Sequence, residues 1–219
     1  MARRRPDRHI SHIAAWLQHT GSDCLPDRAQ AERFLYWLDR SAGYFSFRTF
    51  SETPYTRLPG HDPLEHALHG SLDECWRELC ALNRAGAVIC VTINETDGTG
   101  REVEHIRRVR ALYVDDDQPD RRVGGFALPP HLSVESSPGR YHHYWRVEGV
   151  SREQFPGMQQ ELARLYKTDH RVFGLNQSMG LSGFWRRKRL KESVQTKLRS
   201  VVERPSLSPD EVEVLLKRK

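Results

Sequence analysis

Apolar residues recur at helical spacing between residues 29 and 40, where Ala31, Phe34, Leu35 and Leu38 form one stripe. Residues 44–50, YFSFRTF, switch to a period of two, with Phe45, Phe47 and Thr49 on one face, and predict a strand. The turn-rich SETPYTRLPGHDP that follows predicts a surface loop. Ser71 and Glu74 make a capping box for a helix reaching about Asn83, with Leu72, Trp76, Leu79 and Leu82 inward and Gly86 as terminator. AVICVTIN predicts a strand, and the polar TDGTGREVEH leads to a second one, VRALYV, which runs into Asp115, Asp116 and Asp117. HLSVE and RYHHYWRV on either side of SSPG predict a β-hairpin. Ser151 with Gln154 caps a further helix, whose Phe155, Met158, Leu162 and Leu165 repeat at spacings of three, four and three. Near the end, Ser208, Pro209 and Glu211 open a short terminal helix. Strands that follow one another through hairpins and short loops, interrupted by helices, predict an α+β domain with a mainly antiparallel sheet. No internal repeat or low-complexity linker divides the chain, so one compact unit is expected.

Composition narrows the class. The chain has 219 residues, 37% hydrophobic and 29% charged, enough for one ordinary core under a well-solvated surface. Its longest apolar runs, such as AVICVTI at 87–93, fall far short of the roughly 20 residues that cross a bilayer, so no membrane partner is expected. The basic start MARRRPDRHISH has no apolar segment behind it, and a cytoplasmic location is expected. Cys24, Cys75, Cys80 and Cys90 form no CxxC pair, which points to reduced, buried thiols and not to a zinc ribbon or a disulfide framework. The net charge of +5 is compatible with a polyanionic partner. Its distribution says more, because WRRKRLK at 185–191 concentrates cations while acids concentrate at Asp115, Asp116 and Asp117.

Side chains alternate across a strand, so Asp115 and Asp117 are expected on one face about 7 Å apart, with Asp116 on the other. That spacing lets two carboxylates share divalent cations; a solvated acidic turn is the alternative. The hairpin gathers Ser136, Ser137, Gly139, Arg140, His142 and His143 around a tight turn flanked by Tyr141, Tyr144 and Trp145. A glycine turn can offer backbone donors to phosphate, with Arg and His adding charge and hydrogen bonds; a surface hairpin whose rings pack on the sheet is the bland reading. Asp169, in YKTD after the amphipathic helix, could complete a metal site or serve as a turn residue. The run Arg186, Arg187, Lys188 and Arg189 is either a contact surface for nucleic acid or a solvated face.

Several of these segments, in order, carry a resemblance. ICVTINETDGTGREVEHIRRVRALYVDDD, PPHLSVESSPGRYHHYWRV and TDHRVFGLNQSMGLSGFWRRK, with FSFRTFSE and the helix from Ser71, resemble the RepB-like DNA primases of plasmids and phages, within the archaeo-eukaryotic primase superfamily. The likeness runs over about residues 30 to 190. It implies a primase-polymerase fold: an RRM-like, mainly antiparallel catalytic sheet with helices, plus a smaller N-terminal α/β element. On that reading residues 1–27 are a basic extension, 28–192 the catalytic domain and 193–219 a tail with a short helix.

By resemblance, Asp115, Asp117 and Asp169 bind two divalent ions, Mg2+ or Mn2+. His142 holds the triphosphate of the incoming nucleotide, with His143 as the alternative register, and Arg140, Ser136, Ser137 and Lys188 assist it. Arg186, Arg187, Lys188 and Arg189 would contact DNA. The implied activity is primer synthesis on a single-stranded DNA template from nucleoside triphosphates, in plasmid, phage or mobile-element replication, with a helicase and a polymerase supplied in trans. The sequence departs from the family at RxxRLPGF: Gln177 and Gly180 stand where arginines are expected, and Ser182 where a proline is. These losses keep a second reading open, a catalytically weakened primase fold retained for replication initiation or single-strand binding. A metal-dependent nuclease is a third reading, with no need for a triphosphate-facing hairpin.

Overall fold

The computed structural model describes residues 24–52, 62–117, 125–189 and 192–217. Most of the basic extension and most of the loop after residue 51 lie outside the described residues. Helix α1 (Arg28–Leu38) begins one residue earlier than its apolar stripe predicts, because the Asp27 carboxylate caps it by accepting from the Gln30 N–H at 3.1 Å. Strands β1 (Phe45–Ser51) and β2 (His66–Gly70) lead to helix α2 (Leu72–Arg84), whose Ser71–Glu74 capping box is formed as expected. After β3 (Ala87–Thr92) the chain makes a small ribbon of β4 (Glu95–Thr96) and β5 (Ile106–Arg108). Strand β6 (Ala111–Asp116) and the predicted hairpin, β7 (Leu132–Ser137) with β8 (Arg140–Arg146), precede helix α3 (Phe155–Tyr166). The remaining elements are β9 (Ser178–Gly180), β10 (Trp185–Arg189), β11 (Glu192–Gln195), β12 (Lys197–Val201) and helix α4 (Pro209–Leu215).

Two antiparallel sheets organise these elements. The first has the order β2-β1-β3-β9 with α2 against it, and it is the smaller N-terminal element. The second, in the order β12-β7-β8-β6, carries the acids and the histidines. Each sheet borrows a strand from late in the chain. Residues 197–201, in the stretch read from sequence as a tail, form the edge strand beside β7. Among the described residues no helix is long and apolar enough to cross a membrane.

The core runs between the sheets and helices. Phe34 of α1 meets Tyr144 of β8 edge-on at 5.5 Å, and Phe155 of α3 lies 5.9 Å from the ring of Tyr113 on β6. Gly183 is architectural: its φ is +90°, and a Cβ there would stand 2.1 Å from the Asp27 carbonyl oxygen. That close approach lets the Asp27 N–H donate to the Gly183 carbonyl at 2.8 Å, joining the start of α1 to the turn after β9. At the base of the sheets Asp39 is buried against two arginines, with Arg110 Nε 2.7 Å from Oδ2 and Arg108 on the same oxygen. Burial opposes its ionisation, but hydrogen bonds from Ser41 and Arg110 and the charges of Arg110 and Arg108 overcome it and hold the carboxyl at about 2.

The C-terminal segment is latched by a buried imidazole. His131 Nδ1 accepts from the Arg146 N–H at 3.1 Å and Nε2 donates to the Pro205 carbonyl at 2.8 Å, so the ring is neutral with its proton on Nε2. The Leu207 N–H donates to the Arg146 carbonyl at 2.8 Å, and Val212 and Leu215 of α4 are buried behind it. Burial, with the nearby charges of Arg204 and Arg146, pushes His131 down to about 4 from the ordinary 6.5, against the opposing pulls of the Pro205 carbonyl and Glu211. The unfolded chain therefore binds the proton first. Stability is full above about pH 6.5, falls as the pH drops below it, and has lost the whole contribution below about 4, on the order of 3 kcal/mol. Urea unfolding of wild type and His131→Gln across this range is expected to show the fall in wild type and its absence in the variant. Parallel pH profiles would refute the latch.

Candidate active site

Strand β6 is an edge strand, and the way its outer edge is closed builds the site. Gln159, a polar residue in the apolar stripe of α3, accepts from the Tyr113 N–H at 3.2 Å through Oε1. Its Nε2 donates to the carbonyls of Tyr113 and Val172. Helix α3 then ends at Lys167, which adopts a left-handed conformation (φ +50°) and turns the chain back toward β6. Two residues on, the Asp169 N–H donates to the Asp115 carbonyl at 3.2 Å. The two aspartates are thereby side by side on adjacent backbones.

The inner edge of β6 supplies the histidine. Asp115 faces His142 directly in the β6–β8 register, while Val114 faces His143. His142 Nε2 lies 3.6 Å from Asp115 Oδ1 and Nδ1 lies 3.4 Å from the Tyr144 hydroxyl. Burial, with the neighbouring Asp115 charge, keeps Tyr144 a phenol well above its ordinary titration range. The Tyr144 hydroxyl and His142 Nδ1 are within hydrogen-bond distance, and Nε2 is directed at Asp115. His143 points the other way: Nδ1 is 2.8 Å from Ser133 Oγ, and the ring packs against Phe126 and Tyr141. The pairing register thus separates two adjacent histidines that are indistinguishable in sequence.

Asp116 is buried on the opposite face of β6, as alternation predicts. Asp117 lies just past the strand, half exposed, with Oδ2 at 3.3 Å from Arg140 Nη1. In the hairpin, Pro138 and Gly139 (φ +74°) form the turn. The Gly139 N–H donates to Glu135 Oε1 at 3.3 Å, so this backbone donor is engaged within the hairpin. Ser136 and Ser137 are buried, and Ser136 Oγ donates to the Arg140 carbonyl at 3.4 Å.

One functional-looking residue escaped sequence reasoning. Arg171 grips Asp169 in the two-pronged manner of a guanidinium on a carboxylate, Nε to Oδ1 at 3.1 Å and Nη2 to Oδ2 at 2.9 Å, and its own N–H donates to Oδ1 at 2.9 Å. The Arg171 hydrogen bond holds the Asp169 carboxyl below the usual carboxylate range. The spacing of acid, any residue, arginine was the available signal.

Aspartate oxygens are the hard donors that Mg2+ and Mn2+ take, so the chemistry of Asp115, Asp117 and Asp169 fits such ions. Among the described residues, however, no three acidic, histidine or cysteine side chains converge as a closed ligand set. Guanidinium groups stand on Asp117 and Asp169 instead.

The basic strand β10 is anchored elsewhere. Arg186 Nη2 is 2.8 Å from Glu52 Oε1, the Arg187 N–H donates to Glu52 Oε2 at 2.7 Å, and Arg187 Nη1 donates to the Arg84 carbonyl at the end of α2 at 3.1 Å. Burial pushes the Arg187 guanidinium below its ordinary range. The side chains of Lys188 and Arg189 lie outside the described residues. Gln177 bridges to the first sheet, its carbonyl accepting from the Ile93 N–H at 3.1 Å. Gly180 pairs with Cys90, and a Cβ there would meet only Thr196, at 3.8 Å.

Comparison with known proteins gives this geometry a context. The model of the RepB DNA-primase N-terminal domain matches residues 89–202. The fold is similar to the AEP domain of the primase-polymerase of cyanophage S-2L, with a TM-score of 0.71 at 18% identity over 88% of this chain and all of that domain. It is also similar to the catalytic domain of primase RepB′ solved with initiator DNA, with a TM-score of 0.58 at 19% identity over 87% of this chain and 92% of that one. A longer structure of primase RepB′ gives 0.59 at 18% identity, this chain covering 60% of it. No curated protein sequence matches the chain.

The anchoring of β10 makes a stability prediction. Arg186→Ala leaves the largely buried Glu52 without its guanidinium partner and is expected to cost about 2 kcal/mol. The double variant Arg186→Met with Glu52→Gln removes both charges and is expected to cost less. A double-mutant cycle in urea measures the coupling, and a wild-type midpoint for Arg186→Ala would return the strand to a merely solvated surface.

Proposed function

The chain belongs to the family of RepB DNA primases, and from that premise we propose that it is a template-dependent nucleotidyltransferase that makes primers on single-stranded DNA. The observation that carries the reading is that Asp115, at the end of β6, faces His142 across one edge and takes the Asp169 N–H on the other. Asp115, Asp117 and Asp169 would hold Mg2+ or Mn2+, which, when bound, neutralises phosphate charge and favours deprotonation of the attacking 3′-hydroxyl. His142 donates to a triphosphate oxygen, and the Tyr144 hydroxyl on its other ring nitrogen keeps the ring oriented. Arg140, beside Asp117, adds charge to the same phosphates, with Ser136 and Ser137 shaping the turn beneath it. Positioning and charge neutralisation supply most of the catalysis in phosphoryl chemistry, so no protein nucleophile is required.

Template contacts in this proposal fall to Lys188 and Arg189 more than to Arg186 and Arg187, whose guanidinium groups hold β10 in place. Lys188 assists at the triphosphate as well, together with Arg140, which stands 3.3 Å from Asp117. The setting would be cytoplasmic replication of a plasmid, phage or mobile element, with a helicase and a polymerase acting in trans. A specific observation sustains a second reading, a weakened primase fold kept for initiation or single-strand binding: Gln177 and Gly180 bring no charge to the segment between the two sheets.

Primer synthesis on single-stranded templates with labelled nucleotides and Mg2+ or Mn2+ tests the first reading. Asp115→Ala and Asp117→Ala are expected to abolish transfer, whereas Asp116→Asn, on the far face, retains most of it. His142→Ala is expected to weaken nucleotide binding about tenfold, as loss of one hydrogen bond to a charged group does, while folded His143→Ala leaves it unchanged. Essential Asp116 with dispensable Asp115, or nucleotide affinity lost only in His143→Ala, would overturn these roles. Gln177→Arg with Gly180→Arg separates the two readings. In a working primase the pair is expected to change activity little, and a silent wild type that gains primer synthesis from it would establish the weakened module.

A further inference from the structure

Both acids at the outer rim of the site carry a guanidinium, and the one on Asp169 is the more telling. Arg171 donates to both carboxylate oxygens of Asp169, so a cation approaching either meets the guanidinium as a competitor. The Arg171 side chain is 83% exposed, and its guanidinium hydrogen bonds run to Asp169. An exposed pair of this kind is weak, roughly 0 to 1 kcal/mol, and is exchanged at little expense. Arg171 also lies close enough to Asp115 for the two charges to interact.

We propose that Arg171 is a charge placeholder: it holds Asp169 aimed at the site until a divalent cation takes the carboxylate, and the released guanidinium then binds the triphosphate of the nucleotide. The inference rests on the reading of Asp115 and Asp169 as metal ligands and adds a positioning residue to it. Three observations favour it over a plain surface ion pair. The pair sits on the segment that the Asp169 N–H fastens to the Asp115 carbonyl, so displacement of the side chain need not disturb the backbone. The Arg171 N–H bond to Oδ1 closes the turn without the guanidinium, which leaves the side chain dispensable for local folding. Nothing cationic is offered by Gln177 or Gly180, so an exposed arginine beside the acids supplies the charge that a triphosphate needs. Release and capture exchange one anion for another around a single guanidinium.

Binding measurements without template decide the matter, because no transfer then occurs. Mn2+ is titrated into wild type, Arg171→Gln and Arg171→Lys by calorimetry, and the Mn2+ complexes of ATP and dATP are then titrated into each, with Asp115→Ala as the control for the site. Arg171→Gln is expected to bind Mn2+ alone up to about fivefold more tightly than wild type, since its competitor is gone. It is expected to bind the tighter of the two nucleotides about tenfold more weakly, with Arg171→Lys between the two. Thermal melts of the exposed variants are expected to match wild type. Unchanged or weakened Mn2+ binding in Arg171→Gln overturns the placeholder, and unchanged nucleotide affinity overturns the hand-over. A wild type that binds neither Mn2+ nor nucleotide in a manner dependent on Asp115 overturns the functional reading itself, and this inference with it.

Discussion

The open edge of β6 is the constraint on which the site depends. β6 ends the second sheet, so the outward N–H and C=O groups of Tyr113 and the outward carbonyl of Asp115 have no strand to pair with. A buried backbone group left unpaired costs about 1–3 kcal/mol, and three of them would consume a large part of the stability of a domain this size. Gln159 closes two and the Asp169 N–H closes the third. Satisfying the edge therefore fixes where α3 lies, why a polar residue belongs in its apolar stripe, and where the chain goes after Lys167. The approach of Asp169 to Asp115 follows from backbone hydrogen bonding before any catalytic requirement is considered.

A second set of bonds decides how the two sheets meet. Asn94, fully buried at the end of β3, donates to the Leu175 carbonyl at 2.8 Å and accepts from the Arg110 N–H at 3.0 Å, where β6 is about to begin. Arg110 in turn is held by Asp39 and lies over the Phe45 ring, so helix α1, the first sheet and β6 share one buried charge pair. Such a pair adds little net stability, because desolvation offsets the attraction, but breaking it is expensive, and that asymmetry favours one geometry. The chain from Asp169 to Leu181 crosses from the second sheet to the first, since Asp169 is bonded to β6 and the Leu181 N–H donates to the Ile89 carbonyl of β3. Arg171, Gln177 and Gly180 all sit on that crossing.

Much of this was legible in the sequence wherever the cause was local. The capping boxes at Ser71–Glu74 and Ser208–Glu211 marked helix starts because a side chain and a backbone amide three residues apart satisfy each other. Period-two alternation found β1, the apolar run VRALYV found β6 and the SSPG turn marked the hairpin, and the fold class followed, with the family resemblance supplying the division into a catalytic sheet and a smaller element. What stayed hidden was long-range. The three residues of β9 and the edge strand β12 are short and take their identity from partners far back in the chain. The neighbours His142 and His143 could be told apart only once β8 had a register against β6. The basic run looked solvated or nucleic-acid-facing because Glu52, which neutralises Arg186, is 134 residues earlier. Gln159 and Arg171 were each visible as an irregularity, a polar residue in an apolar stripe and a cation two positions after an acid, but the meaning of both depends on the edge of β6.

The two glycines of the segment GLSG show where architecture stops and chemistry begins. Gly183 is demanded by the fold, since its positive φ and the approach of the Asp27 carbonyl exclude any side chain. Gly180 is not: its backbone is ordinary strand, and a Cβ would touch only the Thr196 side chain at van der Waals distance. Backbone geometry and the space at Cβ therefore do not require glycine at 180. A site that keeps Asp115, Asp117, Asp169 and His142 while leaving position 180 empty must balance its anions from other cations. The structure already has Arg140 and Arg171 on those acids, each within hydrogen-bond distance of a carboxylate. Charge balance at this candidate site is therefore held by arginines that neighbour the acids in the fold, and positions 177 and 180 can be neutral without leaving Asp117 and Asp169 uncompensated.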